Sequence, residues 1–202
     1  MTISYPITCP TSLKPGATRW QMASAVTLSV SPTTYQTTKY EYDGESWTIE
    51  VSYPLLTRQE AAPFFAFLAS LRGQNGTFLF GDTLLSQPLG TGSGTPKVNG
   101  GAQTGNKVLV SDGWSASQVV LKGGDLIQVD QRIYMVLADV TSDGSGNASI
   151  DVFPRLRSHL DNASIVTSNP QGLFRLSDDQ STIVEAGPTQ LFNIAFRAIE
   201  AL

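Results

Sequence analysis

Residues 55–82, LLTRQEAAPFFAFLASLRGQNGTFLFGD, carry the one stretch of this chain with helical periodicity. Phe64, Phe67, Leu68 and Leu71 recur at the spacing of a single helix face. Thr57 and Glu60 have the spacing of a capping box, which predicts a helix over about 58–72. Pro63 lies past the first helical position and lacks an N–H, so the regular helix is expected to begin nearer Ala62. Arg72 in the last turn suits the helix dipole, and Gly73 can adopt the left-handed stop. Everything around this helix alternates with the period of strands. One helix amid many strands restricts the fold to a mainly β (α+β) arrangement. The stripe Phe64/Phe67/Leu68/Leu71 then covers one sheet face.

The first half supplies several strands. RWQMASAVTLSV (19–30) reads as one, after an extended Pro- and Thr-rich arm over 1–16. KYEYDGESWTIEV reads as a hairpin, with Asp43-Gly44 as its type I′ turn. Trp47, Ile49 and Val51 alternate with Thr48, Glu50 and Ser52, the signature of a half-buried strand. From Ser86 to about Gly105 the texture changes. GTGSGTPKVNGGAQTG holds six glycines in sixteen residues and reads as a linker over 90–105. Five short strand-like runs follow, from KVLVS to ASIDVF, and predict a small inserted β-barrel or meander. The chain then returns through GLFRLS and LFNIAFRAIE. The implied organisation is an outer domain of 1–84 and 158–202 with an inserted β domain over 85–157.

Chemistry is sparse in this sequence. His159 is the single histidine and Cys9 the single cysteine among 202 residues. Nothing places a nucleophile beside His159, and a surface or junction position is expected for it. One His and one Cys cannot furnish a transition-metal cluster. Asp178-Asp179 reads as a solvated turn, and SDGSGNASID as a hairpin turn lacking the EF-hand pattern. The glycines at 90–105 match neither phosphate-binding motif. Three N-x-S/T sequons, at Asn75, Asn147 and Asn162, carry no weight in a chain that lacks a secretory leader pattern. No catalytic residue, cofactor or metal is therefore expected. Trp47, Tyr40 and Tyr42 read as packing residues, whereas Trp114, in the turn-like SDGWSAS, is the candidate exposed partner or ligand contact. The net charge of −4 argues against a protein that grips nucleic-acid phosphates. No apolar run is long enough to span a membrane, and no membrane anchor is expected.

The segment over 55–82 resembles one shared by tail proteins of long-tailed bacteriophages. There a strand enters an aromatic-striped helix, followed by L-R-G, a polar turn and a strand ending in G-D. GGDLIQVDQRIYMVLADVTSDGSGNASIDVFPRLR resembles a second segment of the same proteins: G-D, a tight hairpin, D-G-x-G-N, and a strand ending in P-R-L-R. Together they cover 63 of the 202 residues. The resemblance implies a distal tail protein or a neighbouring tail-hub subunit with a tail-tube-like fold, a β-sandwich with one flanking α-helix. Such subunits usually form a six-fold homo-oligomeric ring in the virion. The ring joins the tail tube above to the hub or baseplate below, and DNA passes through its lumen without specific binding. The protein would be synthesised in the host cytoplasm. The alternative is a β-rich module of the tail tip that recognises a host-surface glycan through Trp114.

Overall fold

The computed structural model describes residues 3–180, 182–186 and 191–201; the first two residues of the expected N-terminal arm lie outside these. In chain order the elements before the insertion are β1 (Ile7–Thr8), β2 (Ala17–Val30), β3 (Thr37–Ser52), helix α1 (Arg58–Leu71) and β4 (Phe78–Phe80). Then come β5 (Gly94–Val98), β6 (Val108–Trp114), β7 (Val119–Leu121), β8 (Leu126–Val129), β9 (Arg132–Val136), β10 (Val140–Thr141), β11 (Ala148–Phe153) and β12 (Ile165–Val166). The chain closes with β13 (Gly172–Leu176), β14 (Thr182–Ala186) and β15 (Phe192–Glu200). The fold is mainly β with one α-helix, as the periodicities require.

The first sheet runs β1-β4-β13-β15-β3-β2, with β14 also paired to β15. Its inner face carries Trp47, Ile49, Val51, Phe78, Phe174 and Phe196, and α1 lies across that face. Phe64, Phe67, Leu68 and Leu71 are all buried there. Phe64 packs on Tyr53 with ring centroids 4.3 Å apart, and Phe67 meets Phe78 edge-on at 5.3 Å. Each such side chain contributes roughly 1.5–3 kcal/mol on burial. The arm is tied to its own sheet: β1 pairs in parallel with β4, and Tyr5 donates to the Ser70 carbonyl at 2.7 Å.

Two local expectations at the helix need revision. The helix is regular from Arg58 and does not wait for Ala62. The Glu60 carboxylate accepts the Thr57 N–H at 2.9 Å and the Thr57 hydroxyl at 2.8 Å, so the first turn is already fixed when Pro63 arrives. Pro63 sits on the exposed face, where water can satisfy the carbonyl that its missing N–H leaves open. At the other end Arg72 is itself the left-handed cap, at φ +51°, rather than the last helical residue. Gly73 is also left-handed, at φ +66°, and the Gly76 N–H closes the turn on the Leu71 carbonyl at 2.8 Å.

The second sheet runs β12-β8-β9-β11-β6-β5. Its ends meet through the Lys97–Ser164 bridge and the Val98–Ala163 and Asn162–Val98 hydrogen bonds, both 2.9 Å, so it is a nearly closed barrel. Leu109, Ile127, Tyr134, Val136 and Ile150 fill it. The stretch expected to be a glycine linker contributes strand β5 to this barrel. Its glycines serve close approach instead: a Cβ on Gly90 would lie 2.4 Å from the Val120 carbonyl oxygen, and one on Gly94 would lie 2.4 Å from that of Gly113. β12, beyond residue 157, is also a barrel strand.

The barrel and the first sheet share a buried junction. Leu126 and Ile133 belong to the first core, and Trp47 Nε1 donates to the Ile133 carbonyl at 3.2 Å. Glu200 is also buried near this junction. It accepts the Trp47 N–H at 3.3 Å and stands 3.6 Å from Arg132. Burial raises its carboxyl above the ordinary 4.5. The folded state therefore binds this proton more tightly than the unfolded chain does. Stability from this group is complete below pH 4.5 and is lost as pH rises through the folded value. Glu200→Gln is expected to leave Tm at pH 8 unchanged or higher, and to flatten its dependence on pH above 4.5. A Tm at pH 8 that drops by several degrees would contradict this.

Candidate functional site

The most unusual surface is a two-stranded ribbon. Sequence reading placed a hairpin turn at Asp43-Gly44, but β3 runs straight through both residues. Its partner is β2, paired with it from Ala17–Ser52 to Val30–Thr37. The true turn is Ser31–Gln36, closed by Tyr35 N–H to the Ser31 carbonyl and Ser31 N–H to the Gln36 carbonyl, both 2.9 Å. Pro32, Thr33 and Thr34 suit a turn of this kind. The register shifts near Ser24 and Val26: Ser24 faces Glu45, yet Val26 faces Glu41. β3 thus carries extra residues at a bulge containing Asp43-Gly44, and a Cβ on Gly44 would meet the Ala25 methyl at 3.2 Å.

Beyond that bulge the ribbon leaves the body of the protein. Residues 22–30 and 32–44 are exposed throughout. The pairing puts Val26 with Glu41, Leu28 with Lys39 and Val30 with Thr37, which gives one face an apolar row. Leu28 is 63% exposed and Val30 54%. The other face presents Tyr40 beside Thr27. β2 is the outer strand of its sheet, and β15 pairs with β3 only over Thr48–Ser52, so among the described residues no strand pairs with either edge of the ribbon beyond that. Arg19 is the sole charged residue in the fourteen of β2. Edge strands of ordinary monomers are shielded by charges, prolines or short length. The exposed part of this strand, 22–30, carries no charge and no proline, and an isolated two-stranded ribbon is marginal in water.

At its base the ribbon is held by charge. Arg155 Nη2 lies 2.6 Å from Glu41 and Nη1 lies 3.0 Å from Asp43, while Glu45 accepts the Arg155 backbone N–H at 2.7 Å. Lys107 also pairs with Glu41, and together the two cations hold that carboxyl below the ordinary range. A cleft of about 710 Å³ lies on the neighbouring part of β2, β3 and β15. Glu50 bridges Arg19 at 3.2 Å and Arg197 at 3.6 Å along it.

The sequence-predicted candidates lie elsewhere. Trp114 is not on an exposed turn. It ends strand β6, is 4% exposed, and donates from Nε1 to Ser111 Oγ at 2.9 Å. Gly113, at φ +76° and pressed on the Thr95 carbonyl, turns the backbone so that the indole enters the barrel core. His159 is buried rather than on the surface. Its Nδ1 is 2.8 Å from Asp130 and its Nε2 2.7 Å from the Tyr134 hydroxyl. That oxygen also accepts the Arg157 N–H at 3.1 Å, and because the Asp130 carboxylate only accepts, Nδ1 carries a ring proton. Burial pushes the Tyr134 hydroxyl up to about 12. The Asp–His–Tyr chain thus ends in a fully buried phenol and fastens residues 157–159 to the barrel.

The two G-D motifs also prove to be supports. Asp82 accepts the Trp20 indole N–H at 3.0 Å, and Asp125 accepts the N–H groups of Leu89 and Lys122 at 2.7 and 2.8 Å. Asp143, of D-G-x-G-N, accepts the N–H groups of Ser145 and Asn147, both at 2.8 Å. Asp179 receives the Gln74 N–H at 3.1 Å, and Asp178 receives that of Gln180 at 2.7 Å, so the two carboxylates serve separate turns. Among the described residues no group of three His, Cys, Asp or Glu could hold a metal ion, and no helix is long and apolar enough to cross a membrane. Cys9 is buried, and burial pushes its thiol up to about 11. At pH 8 roughly a thousandth is then thiolate. A disulfide reagent is expected to leave Cys9 unmodified in the folded protein and to titrate it fully in urea; rapid native modification would contradict this burial.

No protein-family model matches the chain, and no curated protein matches it.

Proposed function

We propose that this chain is a structural ring subunit of a long-tailed phage tail tip, of the distal tail or neighbouring hub class. The observation that carries the reading is the ribbon Ala17–Ser52: long, with no strand among the described residues on its outer edge, nearly uncharged along β2, and with an exposed apolar row on one face. A surface of that kind stays soluble only if a partner covers it. A second copy supplies one through a head-to-tail contact, and such contacts close into a ring when the rotation permits. The resemblance of residues 55–82 and 123–157 to phage tail proteins supplies the setting. The ring would lie in the virion between tail tube and hub or baseplate. The chain's net charge of −4 suits a conduit whose wall must not retain DNA.

The test is a photo-crosslinking residue at Leu28 in assembled particles. Crosslinks to a second copy of the same chain are expected. Crosslinks only to other virion proteins, or none in fully assembled particles, would overturn the reading.

A further inference from the structure

The P-R-L-R motif has no part in ring contacts as proposed above, yet its two arginines grip the ribbon. Arg155 meets three carboxylates at alternate positions of one strand: Glu41 at 2.6 Å, Asp43 at 3.0 Å and Glu45 at 3.7 Å. Arg157 Nη2 donates to the Glu45 carbonyl, and Lys107 pairs with Glu41. Two cations of the barrel, Arg155 and Lys107, thus face three carboxylates of the ribbon, and Arg157 holds the Glu45 backbone. The contact lies where the register of β2 and β3 shifts, between the Ser24–Glu45 and Val26–Glu41 pairs. The Arg155 and Glu45 side chains are only 16% and 10% exposed, so this part of the cluster is weakly screened. Beyond it the ribbon is exposed throughout, apart from partly covered Ser31 in the turn.

We propose that Arg155 and Lys107 form a charge latch on Glu41, Asp43 and Glu45, supported by Arg157 on the Glu45 carbonyl, that fixes the ribbon against the barrel. Release of the latch lets the ribbon swing about the bulge. The bulge supplies the hinge because strand pairing is interrupted there, and the latch supplies the stop. The unlatched ribbon samples a range of angles, and the latched one presents its edges in a single orientation. This inference concerns the isolated chain and stands independently of the ring.

The test places nitroxide labels at Thr33, in the ribbon turn, and at Thr104, on the exposed 99–107 loop, and measures their distance distribution in the full chain. The native protein is expected to give one narrow distribution. Arg155→Met, which keeps the apolar stem, is expected to broaden it and shift its mean. Arg19→Met, which breaks an ion pair outside the latch, is expected to leave it unchanged. If Arg155→Met does not fold, Glu41→Gln combined with Asp43→Asn replaces it, since both residues lie on the exposed ribbon. A distribution that superimposes on the native one in the folded variant overturns the latch, as does equal broadening in Arg19→Met.

Discussion

Deleting residues 25–42 is expected to leave a folded protein that no longer enters tail particles. Ser24 pairs with Glu45, so the deletion joins them through Asp43-Gly44 alone. That dipeptide is the preferred two-residue hairpin loop, with both residues free to take positive φ. The shortened β2 and β3 keep their core rows, including Trp20, Trp47, Ile49 and Val51. What is lost from the monomer is the exposed part of the ion cluster, worth roughly 1 kcal/mol or less per pair. Circular dichroism should therefore be close to native, with a Tm shift of a few degrees. Incorporation into particles, read by quantitative immunoblot, should fall to background. Normal incorporation of the shortened chain would mean that the ribbon is not the contact on which assembly depends.

Trp47→Ala is expected to cost about 3–5 kcal/mol in urea denaturation, the range for emptying a core aromatic site. Trp47 is fully buried, and its ring meets Trp20 at 5.3 Å and Phe153 at 5.0 Å, both edge-on. It thus touches residues of the first sheet and of the barrel at once. Its Nε1 also satisfies the buried Ile133 carbonyl, whose orphaning adds to the cost. Such a loss is a large share of the roughly 5–15 kcal/mol that stabilises a folded domain. Trp47→Phe should cost less, because it keeps a ring and forfeits the donor. A loss below about 1 kcal/mol for Trp47→Ala would contradict the placement of this residue at the junction.

The contrast between these two sites explains what could be read from the sequence. Phe64, Phe67, Leu68 and Leu71 declare a helix because their spacing is local, and Thr57 and Glu60 declare its start for the same reason. Trp47, Ile49 and Val51 likewise show their strand without help. Asp43-Gly44 failed as a signal because turn chemistry is only a local preference. Here β2 is long enough to pair past it, and Arg155 holds Asp43 from more than a hundred residues away. Trp114 failed in the same way. SDGWS looks like a turn until barrel closure presses Gly113 onto Thr95 and draws the indole inward. The exposed ribbon was the least legible feature. Val26, Leu28 and Val30 alternate as core residues do, and nothing in their pattern says that no core lies beneath them. The nearest clue was Pro32-Thr33-Thr34, which marks the actual turn.

The central claim is that this chain is a ring-forming subunit, and electron microscopy of intact particles, classified at the tail tip, tests it most directly. The account predicts a ring of this subunit around a central channel beneath the tail tube, with the ribbons of adjacent copies in contact. Density for this chain only on peripheral fibres or spikes, with no ring, would contradict it.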